Sequence, residues 1–206
     1  MQSFWEELHT QRWDDHRYYH QSRINQSLHF LSAMSFLVAY VMLFIDPVVS
    51  ALIAWLISMV SRQSGHFFFE PKGYDQVNKA THEYKEEIKV GYNLKRKVIL
   101  HLVWAAAPVA LLIDPTFFGT FPAHSSGMEY LRHVGTLWLF LGIGGVAFRM
   151  LQLFFTKGVQ SGLCWVIKIV TDPFSDVKLY WRAPFALMRG ELIDPMDDVE
   201  EAESRA

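Results

Sequence analysis

The chain has 206 residues and a formal net charge of -2, a balance that argues against a nucleic-acid binder and against an acidic tail protein. Hydrophobic residues make up 51% and charged residues 19%, against about a quarter charged in soluble domains, so the composition leans toward a membrane protein. The single cysteine, Cys164, excludes an internal disulfide and a cysteine-based zinc site, which leaves nine histidines and the carboxylates as metal ligands.

The N-terminal segment, residues 1–29, is polar, and Met1 to Arg12 lacks the apolar stretch of a secretory signal. A first hairpin is predicted over residues 30–61. Its two uncharged runs, Phe30 to Ile45 and Val48 to Ser61, flank Asp46-Pro47, where proline breaks helical continuity. Each run reaches roughly 24 Å or less against a hydrocarbon layer of ~30 Å, so flanking residues must help it span or the hairpin is re-entrant. Residues 62–97 form a charged loop in which Thr81 to Lys89 reads as a solvated or interfacial helix. A second hairpin follows over residues 98–155, with Val98 to Ile113, the turn Asp114-Pro115, and Val134 to Phe155. Arg149 lies inside the last run and is expected to snorkel or to find a carboxylate. Residues 156–206 form a trailing segment whose acidic end, from Asp194, is expected to fray. The expected fold is all-α, a multi-pass membrane protein with about four transmembrane helices in two hairpins plus cytoplasmic or interfacial helices.

Basic residues set the orientation. They crowd the N-terminal segment, the middle loop and the segment after the fourth run, whereas the two Asp-Pro turns have only Arg132 on their side. By the positive-inside rule both termini and the middle loop are cytoplasmic. Without an organelle signal, a bacterial inner membrane is preferred to an endoplasmic reticulum.

The histidines carry the functional reading. His16 and His20, His66 and Glu70, and His82 and Glu86 are each four apart and share a helix face if helical. His29 lies 17 residues before Asp46 and His66 lies 19 after Pro47, so on antiparallel helices both stand at one level, about 25 to 29 Å from the turn. Two readings fit: interfacial polar residues without a metal, or imidazoles that with a nearby carboxylate make an open site suited to ferrous iron and oxygen. His20 joins His29 only if the chain breaks near Gln21 and Ser22, with Ser22 capping a helix from about Arg23. On an unbroken helix the nine intervening steps turn ~900° and the two rings face apart. His82 either caps the site or is solvated. His101 is an interhelical residue or a ligand, His124 and His133 belong to the opposite membrane side, and His9 and His16 are surface residues. No phosphate-binding glycine loop, nucleophile elbow or zinc-protease motif is present.

Tyr19-His20, Asn25 and His29, then Gln63-Ser64-Gly65-His66-Phe67-Phe68-Phe69-Glu70, resemble the 2-hydroxy fatty acid dioxygenase family of phytosphingosine degradation and its bacterial relatives. Asp172 to Trp181, with Arg189-Gly190, is similar to that family's closing segment, although relatives are shorter between the second and third blocks. The resemblance implies an Fe(2+)-dependent enzyme that uses O2 to shorten 2-hydroxy fatty acids by one carbon, with His20, His29 and His66 on the metal and Glu70 and His82 as further ligands or supporting groups. Asn25 would orient a ligand or the substrate hydroxyl, and Phe30, Leu37, Trp55 and Phe67 would wall the acyl chain. Arg23 and Lys72 would attract the carboxylate. The competing classes are a non-enzymatic membrane lipid-binding or transport protein and a di-iron hydroxylase or desaturase. The latter needs an adjacent histidine pair, which the chain lacks.

Overall fold

A computed structural model describes residues 2–197. Helix α1 (Phe4–Tyr19) opens on a capping box in which the Ser3 hydroxyl and the Glu6 carboxylate satisfy each other's backbone amides. It stops at His20, whose φ of -119° and ψ of 34° leave the helical region. Two residues later Ser22 accepts a hydrogen bond from the Asn25 amide at 3.4 Å and starts α2 (Arg23–Leu43). The break on which His20 depends is therefore present.

At the first turn Asp46 accepts from the Val48 and Val49 amides at 3.0 and 3.3 Å, and Pro47 takes the first helical position of α3 (Pro47–Phe69). Two π-helical stretches, Ala54–Met59 and Gly65–Phe69, lie within α3. Each widens the turn and shifts which face later residues occupy, a feature that recurs at functional sites. Thr81 caps the short α4 (His82–Ile88), Asn93 caps α5 (Leu94–Ile113), and Ser126 caps α6 (Gly127–Thr156). Then come α7 (Val159–Tyr180) and α8 (Ala183–Met188). Among the described residues there is no strand.

Four helices, α2, α3, α5 and α6, are long and apolar enough to cross a membrane, at 21, 23, 20 and 30 residues. At 1.5 Å per residue each reaches about 30 Å or more, because the helices extend into polar residues that the uncharged runs leave out. The all-α multi-pass class holds, and both helices of the first hairpin are long enough to cross a membrane. Trp55, Trp104 and Trp138 cross-link three of the spans: the indole of Trp55 donates to the Trp138 carbonyl and that of Trp138 to the Trp104 carbonyl, both at 3.0 Å. Just beyond them a Cβ on Gly135 would meet Val48 Cγ1 at 2.6 Å and the Val48 carbonyl oxygen at 3.0 Å, so α3 and α6 touch nearly backbone to backbone.

Residues 156–206 are more than a trailing segment. In α7 the residues Lys168, Asp172, Asp176 and Tyr180 recur every fourth position and are buried, while Ile167, Val170 and Phe174 are exposed. The polar stripe faces the bundle, against α1 and α2, and the apolar side faces outward. The chain from Leu192 to Asp194 also docks: the Arg23 amide donates to the Leu192 carbonyl at 2.9 Å and the Asp194 amide to the Gln21 carbonyl at 2.8 Å. Fraying from Asp194 onward is thus contradicted for 194–197, and residues 198–206 lie outside the described part. Arg149 neither snorkels nor meets a carboxylate. Its guanidinium donates to the Val90 and Gly91 carbonyls at 2.5 and 3.0 Å and to the Gln152 side chain at 2.6 Å, which ties the 88–92 segment to α6.

Candidate metal centre

Three imidazoles meet where the α1–α2 break lies beside the end of α3. His20, His29 and His66 are buried, and each offers a ring nitrogen within 4.8 Å of the others. The His20 and His29 Nε2 atoms are 3.1 Å apart. No other group of three histidine, cysteine or carboxylate residues among the described residues converges in this way.

The groups behind the rings decide where their protons sit. His20 Nδ1 donates to the Asp15 carbonyl at 2.7 Å; a carbonyl only accepts, so Nε2 of the neutral ring carries a lone pair. His66 Nδ1 donates to Glu70 Oε2 at 2.7 Å and likewise frees its Nε2. His29 Nδ1 has no hydrogen-bond partner but lies 3.6 Å from Asp176 Oδ2, whose charge favours the proton on that side. Protonated on Nε2, His29 donates across the 3.1 Å gap to the His20 lone pair; protonated on Nδ1 toward Asp176, it turns a second lone pair toward His20, and the two nitrogens can then share a cation. That separation matches the roughly 3 Å between adjacent ligands of a metal held at about 2.1 Å. Carboxylates behind metal-binding imidazoles are the usual supporting pattern. Burial, and then the neighbouring His29, hold the His20 imidazole well below the usual histidine range, so it is neutral and ready to ligate. The residues therefore fit a divalent transition metal bound by three imidazoles.

The other sequence candidates fall in different places. Glu70 supports His66 and stands 3.8 Å from the Lys89 ammonium; burial pushes its carboxyl upward. His82 is not in the cluster. It lines a small pocket beside His66 with Glu70, Lys72, Glu86, Lys89 and Lys97, because α4 carries it to the far side of Glu70. Asn25 is fully buried, donates to the Tyr19 carbonyl at 2.8 Å and presses its oxygen against Gly65, so it fixes the break and the α2–α3 approach. A Cβ on Gly65 would overlap that oxygen. Gly65→Ala is therefore expected to destabilise the protein by about 1–3 kcal/mol and to lower metal affinity, measured by detergent unfolding and metal titration.

His16 corrects the sequence reading: it is buried, with Nδ1 3.1 Å from the Tyr180 hydroxyl, and α1 turns it away from the three-histidine cluster. His9 is exposed, His101 bonds the Lys97 carbonyl at 2.7 Å, and His133 stacks on Phe121 near the end of the bundle where Arg132 pairs with Asp46.

Around the cluster lies an ionic network whose members the sequence reading left out of the site. Lys168 bridges Asp15 at 3.0 Å and Asp172 at 2.7 Å, and Arg62 reaches Asp176 at 3.0 Å and Asp172 at 3.8 Å. Burial alone would raise Asp15, yet Lys168 holds it well below the usual carboxylate range. Tyr180 closes the wall, its ring 5.4 Å from that of His20. The four-residue spacing from Lys168 to Tyr180 was the available signal.

Beside this network opens a cavity of about 660 Å³. Its upper end is lined by Asp15, Arg62, His66, Lys97 and Lys168, and its lower part by apolar residues such as Trp55 and Trp138. Of the expected wall only Trp55 contributes, and Phe30, Leu37 and Phe67 lie elsewhere. Arg23 is bound to Asp194 at 2.7 Å and Lys72 lines the smaller pocket. Comparison with protein-family models, with curated proteins and with solved structures gives no match for this chain.

Proposed function

We propose that the protein is an Fe(II)-dependent dioxygenase that shortens 2-hydroxy fatty acids by one carbon at the cytoplasmic face of a membrane. The observation that carries the metal half of this reading is the convergence of three buried imidazoles whose ring nitrogens lie within 4.8 Å of one another, with the His20 and His29 Nε2 atoms 3.1 Å apart. The resemblance of the His20–His29 and Gln63–Glu70 blocks to the dioxygenase family supplies the reaction. Three histidines leave coordination positions for other ligands, and ferrous iron held there would bring O2 and the hydroxy acid together.

The protein's own groups do the rest. The Asp15 carbonyl, Glu70 and Asp176 lie behind His20, His66 and His29 and fix the tautomers and ring directions. Tyr180, Trp165 and the 88–92 segment tethered by Arg149 separate this region from bulk water. The stoichiometry closes without an external reductant: one 2-hydroxy acid and one O2 yield the acid one carbon shorter, carbon dioxide and water. In the same reading both termini and the 62–97 loop face the cytoplasm, and the membrane is a bacterial inner membrane.

Purified protein supplied with Fe(II), O2 and 2-hydroxypalmitate is expected to release a fifteen-carbon acid. Absence of that product from wild-type protein with iron bound overturns the reaction, and absence of iron after anaerobic loading overturns the metal site.

A further inference from the structure

Lys97 stands out from the cations around the cluster. Lys89 pairs with Glu86, Lys168 with Asp15 and Asp172, and Arg62 with Asp176, but among the described residues the Lys97 ammonium has no hydrogen-bond or ion-pair partner although the residue is only 8% exposed. It lines both the small pocket and the large cavity, next to His66 in each. The ammonium opens onto these two spaces, where an anion entering either one meets a cation with little competing water.

The cavity below has a measurable depth. Along α3 its wall runs from His66 through Arg62, Met59 and Trp55 to Ser50. Sixteen residues at 1.5 Å give about 24 Å, shortened slightly by the two π-helical stretches. The floor is firm, because just beneath Ala51 and Trp138 the Val48–Gly135 contact brings α3 and α6 together. Ser50 does not make it polar, since its hydroxyl donates to the Ala39 carbonyl at 2.7 Å. The contact between a carboxylate and the Lys97 ammonium takes up about 3 Å, and an extended chain with ~1.5 Å bonds in a zigzag advances roughly 1.25 Å per carbon, so 16 to 18 carbons fill the remaining ~21 Å or slightly less.

We infer that the cavity holds one extended single-chain carboxylate of about 16 to 18 carbons, its carboxylate against Lys97 and its methyl end on the floor at Ala51 and Trp138. This rests on the proposed function for the identity of the amphiphile as substrate, but the binding itself needs neither iron nor turnover. Lys97 is thus the anion anchor, and Ala51 and Ala54 set the permitted length.

The test is competition binding to metal-free protein in nanodiscs, with saturated carboxylates of ten to twenty-two carbons and the matching primary alcohols. Wild type is expected to prefer 16 to 18 carbons and to bind the acid at least ~10-fold more tightly than the alcohol. Lys97→Met is expected to remove the preference for the acid while leaving alcohol binding in place, and Lys97→Arg to restore it. Ala51→Phe is expected to shift the preferred length down by two to four carbons. Ala54→Leu, one turn higher, provides a second variant, and cobalt binding by the three histidines checks that each variant has folded. Equal binding of acid and alcohol by wild type, an unselective loss in folded Lys97→Met, or a length preference that neither folded alanine variant moves would overturn the inference. Because no reaction is read, failure here is distinct from failure of the proposed dioxygenase activity.

Discussion

His29→Gln is expected to lower iron affinity more than ~100-fold and to take product formation to background. His29 is the most deeply buried member of the cluster, 3.1 Å from the His20 nitrogen and with its ring centre 4.8 Å from that of His66, so its loss removes the ring that both of the others adjoin and leaves two ligands. Glu70→Gln should be milder, about 10- to 100-fold, because the amide can still accept from His66 Nδ1 but carries no charge. His133→Gln, at the end of the bundle near the Asp46–Arg132 pair, should leave iron content unchanged. Metal analysis after anaerobic loading, with product measured on the same samples, checks all three. Normal iron content in folded His29→Gln would remove the three-imidazole centre.

The second large effect concerns the ionic network. Lys168→Met deletes the one ammonium that bridges Asp15 and Asp172, which leaves the half-buried Asp15 unpaired and the buried Asp172 with only the 3.8 Å contacts to Arg12 and Arg62. Stability is expected to fall by about 3–5 kcal/mol, the scale for breaking a buried ion pair from one side. Pairing it with Asp172→Asn should recover part of the loss, since that removes one of the stranded charges. Unfolding by sodium dodecyl sulfate titration in mixed micelles, compared across the single and double variants, reads the coupling directly. Additive losses would mean that the two side chains do not act as a pair.

What was readable in the sequence, and what was not, follows from chain distance. The hairpin gave His29 and His66 their common level because two helices about a turn residue are related by simple counting. The break before Arg23 was legible as a capping serine where geometry required a change of direction. Lys97 was hidden by its company: it follows Lys95 and Arg96 at the entry to a span, where basic residues ordinarily face the headgroups, and only the packed helices show that it points inward. The role of α7 was hidden for the opposite reason. Its charges discount it as a span, and nothing local indicates that those charges face the three-histidine cluster and other buried ions instead of water. His82 misled because spacing of four fixes a shared face only within one helix, whereas its ring is placed by what its helix packs against; His16, read as a surface residue, is buried because α1 packs on α7.

The clamp on the helix break has a consequence for biosynthesis. The bend that aims His20 is tied down by the Leu192 carbonyl, by the Asp194 amide and by Asp194 Oδ2, which accepts from Gln26 at 2.6 Å. An early-translated histidine of the cluster is thus locked by a late-translated strap. A nascent chain halted before residue 192 has all three imidazoles threaded but lacks the strap that fixes the bend, so the histidine cluster reaches its final geometry at the close of synthesis and not on insertion of the first hairpin.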